Sequence, residues 1–294
     1  MGDRLPDFEY HSPATLSEAL SLLTRLDGAV VLQGGTDLLV AAKLKGARPR
    51  HVVSLRRLGS VMVGVREERG DIHIGAGTTF DALVDSDTVR TRLPALHEAV
   101  RLIGSRQIRN AATIGGNLCN ASPAADSAPP LLVLGATLKI HGVDGDRSTP
   151  IEAFFKGPGK TSLNRGEILT EVVVPSPGPG SGAAFEKMGR RVSEDISVVS
   201  AAAFVTIAKG VVGSARIALG SVAPTPIRAS KTEELLQGKK PSENLVKEAG
   251  STAQSECNPI ADVRASASYR KKMVAVLVRA TVTEAIRRSG GGGV

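Results

Sequence analysis

The chain has 294 residues, with 37 Lys+Arg against 29 Asp+Glu for a net charge of +8, and it is 41% hydrophobic and 22% charged. This balance is globular and excludes wholesale disorder, while the length implies two domains or one large domain with a smaller one appended. Aromatic residues are 3% with no Trp, so the cores must be aliphatic; two Cys, at 119 and 257, cannot form a disulfide framework or close a zinc site without many other ligands.

In chain order, residues 12–44 read as helix, strand, turn, helix. Thr15 can cap the first helix with Glu18 three residues on, and Leu16, Ala19, Leu20 and Leu23 form its apolar face. Residues 29–32 read as a short buried strand, Gly34-Gly35 as a turn, and Thr36-Asp37 as the start of a second helix. A strand follows at 52–55. Short strands are then expected at 61–65 and 72–77, helices from about 80 and at 94–104, and a Gly/Asn/Pro-rich stretch over 110–130. Further strands are expected at 131–142 and 167–174. PSPGPGSG, at 175–182, reads as a linker and domain boundary. Beyond it come strands at 183–188, 198–208 and 213–222, with a hairpin turn at Lys209-Gly210, and helices near 230–237, 242–250 and 266–288. The terminal residues 289–294 are expected to be disordered.

Residues 1–13 carry Asp3, Arg4, Asp7 and Glu9 where a secretory signal needs an apolar run. The longest apolar stretches, 129–138 and 197–208, fall short of the ~18 residues of a membrane helix. A cytoplasmic protein without membrane insertion is the expectation. Basic residues cluster, five Arg against one Glu in 90–109 and seven Lys/Arg against one Glu in 264–288. Such faces suit an anionic ligand or partner, and the scarcity of aromatic platforms argues against nucleic acid.

Two Gly-rich loops carry the chemistry. VLQGGTDL (31–38) lies on a strand-to-helix turn, and ATIGGNLCN (112–120) follows some 80 residues later. Adjacent glycines let backbone amides converge on a ligand, and a helix start beyond them favours phosphate. Each pair alone is compatible with a plain turn; together, with Thr36, Thr113, Asn117 and Asn120 at their flanks, they favour a nucleotide-type ligand. GAGTTF (75–80) lacks the third glycine of a dinucleotide fingerprint, and FFKGPGKT (154–161) has Phe154 where a P-loop needs its first glycine. The five His show no ligand spacing, and no metal is expected. Cys119 has no visible base partner and reads as a small buried residue.

GGTDL, QIRNAATIGGNLCNASPAADSAPPLLVLGA (107–136), FFKGPGKT and AFEKMGRR…DISVVSAAA (184–203) together resemble the FAD-binding medium subunit of molybdenum hydroxylases, the carbon monoxide dehydrogenase and xanthine dehydrogenase family. The resemblance runs from about residue 5 to 288. It implies an α+β chain with an FAD-binding fold of the vanillyl-alcohol oxidase and p-cresol methylhydroxylase type. That domain would span 1–176, as subdomains of about 1–57 and 58–176, with a smaller C-terminal α+β domain at 183–288. Val31, Leu32, Gln33, Gly34, Gly35, Thr36, Asp37 and Leu38, with Thr113, Ile114, Gly115, Gly116 and Asn117, would wrap the FAD pyrophosphate and ribityl.

By the same resemblance Asp126 matches a cofactor-contacting acid, Ile103 a side chain shielding the flavin, and Leu169 and Lys187 the isoalloxazine edge. From the residues alone, Asp126 equally reads as a helix cap, Ile103 as core and Lys187 as an exposed strand residue. No catalytic side chain is implied. The family implies a large molybdopterin subunit and a small [2Fe–2S] subunit as partners, with NAD or another electron acceptor. The lack of a Cys-rich insertion disfavours the 4-hydroxybenzoyl-CoA reductase subtype. Two other readings stay open: a self-contained FAD oxidoreductase of the same fold, and a non-redox nucleotide-binding scaffold.

Overall fold

A computed structural model describes residues 4–191 and 194–291. The chain opens with a parallel layer: β1 (Glu9–His11), α1 (Leu16–Arg25), β2 (Ala29–Leu32), α2 (Leu38–Leu44) and β3 (His51–Ser54), in strand order β1-β3-β2. A reciprocal cap starts α1. The Glu18 amide donates to Thr15 Oγ1 (3.2 Å), and the Ala14 amide donates to the Glu18 carboxylate (2.7 Å). Of β2 only Leu32 is buried, so the strand expected to be buried is an open edge.

The second layer contains α3 (Gly59–Met62), β4 (Val65–Glu68), β5 (Asp71–Gly75), α4 (Phe80–Asp85), α5 (Asp87–Arg92), α6 (Pro94–Arg101), α7 (Arg106–Ala111), α8 (Ile114–Asn120) and α9 (Ala128–Val133). Strands β6 (Thr137–Gly142), β7 (Gly145–Pro150), β8 (Phe155–Gly157), β9 (Lys160–Thr161) and β10 (Ile168–Pro175) complete it. Five of these strands form an antiparallel sheet in order β4-β5-β10-β6-β7, which backs onto the helices through Ile72, Ile74, Leu138, Ile140 and Val172.

Two expectations are corrected here. The alternating VMVGV of 61–65 is not one strand, because its first two residues finish α3. The apolar run 131–142 splits: Pro129 and Pro130 sit in the first turn of α9, where a missing N–H costs nothing, and the strand begins only at Thr137. The stretch 110–130 is largely helical despite its glycines.

The last part is an antiparallel sheet of β11 (Ser181–Met188), β12 (Val199–Ala208), β13 (Val211–Gly220) and β14 (Ile227–Arg228), covered by α10 (Ser230–Leu236), α11 (Glu243–Glu256) and α12 (Ala267–Arg288). The hairpin turn stands as read: Lys209 and Gly210 both have positive φ, 52° and 78°. Along β12, Val199, Ala201, Ala203 and Val205 face the helices, while Ala202 and Phe204 face the core of the preceding domain. Both faces are buried, hence the unbroken apolar sequence.

The basic run of 264–288 is only partly a surface. Arg270, 1% exposed, donates to Val198 O (2.6 Å), Ser221 O (3.2 Å) and Asp262 Oδ1 (2.7 Å). Arg264 and Arg270 together hold the Asp262 carboxyl well below the usual range. Arg288 pairs with Glu98 of α6 (2.5 Å), and the other Glu98 oxygen accepts from the Phe185 amide (2.9 Å), tying α12 and β11 to the helical layer. Of the tail expected to be disordered, Ser289 and Gly291 bond back to Ile286, and Ser289 is 8% exposed; residues 292–294 lie outside the described residues. Among the described residues no helix is long and apolar enough to cross a membrane.

Candidate cofactor site

The first Gly-rich loop leaves β2 and enters α2. Gly35 turns it with φ of +78°, a region costly for any residue with a Cβ. Among the described residues the amides of Gly35, Thr36, Asp37 and Leu38 donate no hydrogen bond. Four neighbouring free amides form a nest for an anion. Arg56 holds the loop from outside through the Gln33 carbonyl (3.0 Å).

The second loop behaves differently from the expectation of open amides. Thr113 caps α8, its hydroxyl accepting from the Gly116 amide (3.1 Å), while the Ile114 amide donates to Thr78 O (3.1 Å) and the Gly115 amide to Ala76 O (2.8 Å). Gly115 is needed for close approach: a Cβ there would lie 2.6 Å from Ala76 Cβ and 2.7 Å from its carbonyl. At Gly116 a Cβ would meet only Thr113 Oγ1, at 2.9 Å, so that hydroxyl alone would have to shift. The two loops meet where Gly34 packs on the Ala111 carbonyl with no room for a methyl group.

Between them lies a cavity of about 510 Å³. Val31, Leu32, Gln33, Gly34, Gly35, Thr36, Asp37, Leu38, Ile103, Thr113, Gly115, Gly116, Asn117 and Leu169 line it. Ile114 does not; it is fully buried in the core. Leu55, Met62, Ala76, Phe80, Leu163 and Glu167 line it too and were missed. Ala76 and Phe80 belong to GAGTTF, set aside above for lacking a phosphate fingerprint; the usable signal was its small residues, which let α8 approach. The Gln33 side-chain Oε1 is buried with no partner, and Asn117 Oδ1 accepts from Ser127 Oγ (2.7 Å). Cys119 also lines the cavity, but burial pushes its thiol up to about 12, so it offers no thiolate at neutral pH.

Asp126 and Lys187 are not among the residues that line the cavity. They form a buried ion pair (2.7 Å), with side chains 7% and 8% exposed. Lys187 Nζ also donates to the carbonyls of Leu102 (2.8 Å) and Asp195 (3.0 Å), and Ser197 Oγ donates to Asp126 Oδ1 (2.5 Å). Burial pushes the Asp126 carboxyl up, against the pull of Lys187. Leu102 precedes the cavity-lining Ile103, and Ser127 follows Asp126 and orients Asn117. The pair therefore braces two parts of the cavity wall from behind. Neither the cap reading of Asp126 nor the exposed reading of Lys187 holds. The period-2 pattern carried the signal, since Lys187 follows inward-facing Phe185 by two residues.

The far wall rests on Glu167, which accepts from Arg147 Nε and Nη2 (2.7 Å each) and from the Asn164 amide (2.6 Å). These bonds hold its carboxyl down at about 2. A depressed acid stabilises the fold above its unfolded pKa, and that contribution is lost as pH falls through the folded value. Denaturation midpoints of the chain and of Glu167→Gln should therefore differ most above pH 4.5 and converge toward pH 2. Parallel curves across that window would show that Glu167 does not set the acid limb.

A cleft of free amides and apolar walls, set between two α+β layers, defines a nucleotide-cofactor domain. Residues 6–177 match the family of the FAD binding domain in molybdopterin dehydrogenase, and residues 183–285 match the CO dehydrogenase flavoprotein C-terminal domain. A putative xanthine dehydrogenase FAD-binding subunit of Escherichia coli (strain K12) is 36% identical over 283 residues, covering 96% of this chain and 97% of the relative. The carbon monoxide dehydrogenase medium chain of Afipia carboxidovorans is also 36% identical, over 96% and 98%. A solved carbon monoxide dehydrogenase from Hydrogenophaga pseudoflava superposes with a TM-score of 0.94 at 36% identity, covering 97% of this chain and 99% of that one. The chain belongs to the family of FAD-binding medium subunits of carbon monoxide and xanthine dehydrogenases, an oxidoreductase component whose cofactor is FAD. The residues present suit that group: free amides for its phosphates, an unpaired buried Gln33 oxygen, and an apolar wall for its ring.

Proposed function

We propose that this chain is the electron-transfer subunit of a multi-subunit molybdenum hydroxylase. A large molybdopterin subunit oxidises substrate, and a small subunit carries electrons through [2Fe–2S] clusters. An external acceptor such as NAD⁺, a quinone carrier or O₂ takes them up. Bound FAD supplies a store that gathers electrons and releases them to that acceptor. The near-complete match to relatives named as medium chains or FAD-binding subunits supports the reading. The matched ranges support a division into an FAD-binding domain of 1–176 and a C-terminal domain of 183–288, and the separate three- and five-stranded sheets support subdomains of about 1–57 and 58–176 within the first. Two cysteines, both free, accord with a cytoplasmic location.

In this reading the amides of Gly35, Thr36, Asp37 and Leu38 bind the pyrophosphate, and Thr113, Gly116 and Asn117 line the ribityl. Val31, Leu32, Ile103 and Leu169 exclude water from the ring, while Asp126 is the cofactor-contacting acid and Lys187, paired with it, stands at the isoalloxazine edge. The observation that carries it is the nest of unpartnered amides at the mouth of an apolar cavity. The test is to add FAD to the purified chain, desalt it, and identify the cofactor released on denaturation. Retained flavin absorption with FAD released is the expected result. A chain that stays colourless, alone and with its cluster-bearing partner, would refute it. Reduction of the retained flavin by the reduced small subunit, and not by substrate alone, then separates a transfer subunit from a self-contained oxidoreductase.

A further inference from the structure

We infer that Glu9, His11 and His51 form a binding site for a divalent transition metal of the Zn²⁺ class, separate from the FAD cavity. Strands β1 and β3 run parallel with Glu9 opposite His51, and His11 lies two residues along β1 on the same face. That register converges one ligand atom from each residue, all within 4.8 Å of one another. His11 Nε2 lies 3.3 Å from His51 Nδ1, and Glu9 Oε2 lies 3.3 Å from His51 Nδ1 and 3.9 Å from His11 Nε2. Ligands about 2.1 Å from a tetrahedral metal stand about 3.4 Å apart, so the triangle is close to one face of a zinc coordination shell. Two imidazoles and one carboxylate suit Zn²⁺ or Fe²⁺ over Ca²⁺ or Mg²⁺, and three protein ligands leave a position for water. The His side chains are 22% and 18% exposed, held yet reachable, and Glu9 at 72% can swing to close the site.

The triad spans β1 and the first residue of β3, whereas the cavity is met just past the far end of β3, at Leu55. Residues 11 and 51 are 40 apart in sequence, which is why no ligand spacing is visible there. A metal bound to them fastens the three-residue edge strand β1 to β3 and closes a loop containing α1, β2 and the free-amide turn. Its role is a clamp on this layer.

The test uses the tag-free full chain, stripped with chelator and dialysed, titrated calorimetrically with Zn²⁺ alone. Co²⁺ as a second probe reports tetrahedral N/O ligation through its visible bands. The expected result is saturable binding of one Zn²⁺ per chain at low micromolar concentration, with a rise in the unfolding midpoint. In His11→Ala, His51→Ala and Glu9→Gln binding should weaken at least roughly tenfold, the lower bound for losing even an outer partner of a metal. Glu9 is exposed, so its variant keeps the fold, and FAD retention monitors that in all three. Absence of saturable Zn²⁺ binding, or affinity in the three variants equal to that of the parent chain, overturns the assignment without touching the FAD reading.

Discussion

Lys187→Met is expected to lower the stability of the chain by about 3–5 kcal/mol, the usual cost of leaving a buried charge without its partner. Three bonds end at this ammonium, and the stranded Asp126 would keep only Ser197 as a donor. Burial without Lys187 raises the Asp126 pKa further above its unfolded value. An acid raised in this way is best tolerated when protonated, so the deficit should shrink at pH 5 and grow toward pH 8. Pairing the change with Asp126→Asn should restore most of the loss, because the amide removes the charge while still accepting from Ser197. Denaturation of both variants at the two pH values checks this. A deficit independent of pH and not rescued by the amide would mean that lost packing, and not a stranded charge, is responsible.

Gly116→Val is expected to abolish FAD retention on desalting while leaving the unfolding free energy within about 1 kcal/mol. Gly116 lines the cavity, so the new side chain takes up cofactor space, and the shift it forces on the Thr113 hydroxyl is offset by the better helix propensity of Val over Gly. Gly115→Val is a different experiment. Its Cβ meets Ala76, so the walls are forced apart at a cost of about 1–3 kcal/mol, and any flavin loss there is indirect. A Gly116→Val chain that binds FAD as tightly as the parent would place the cofactor away from the first turn of α8.

Much of the local grammar is legible without coordinates. Thr15 and Glu18 announce a cap, Lys209-Gly210 a hairpin, and Gly34-Gly35 a turn with amides to spare. The failures have a common origin in packing that local rules cannot see. Helix α8 begins Ile-Gly-Gly, a poor helical sequence held in place by hydrogen bonds to residues 76 and 78, nearly 40 positions earlier. In the same way α9 and β6 share one apolar run, and only the two prolines mark where one must begin. From the residues alone Lys187 reads as exposed on its strand; it is buried against an aspartate 61 residues away.

The division of labour in the C-terminal sheet bears on how the chain is made. Ala183, Phe185, Ala202, Phe204 and Ala218 complete the core of the preceding domain, although their own helices arrive last. A polypeptide emerging from the ribosome therefore presents its cofactor half with one wall missing until about residue 220 is free of the exit tunnel. The first domain can close its core only once the β12–β13 hairpin has docked on it.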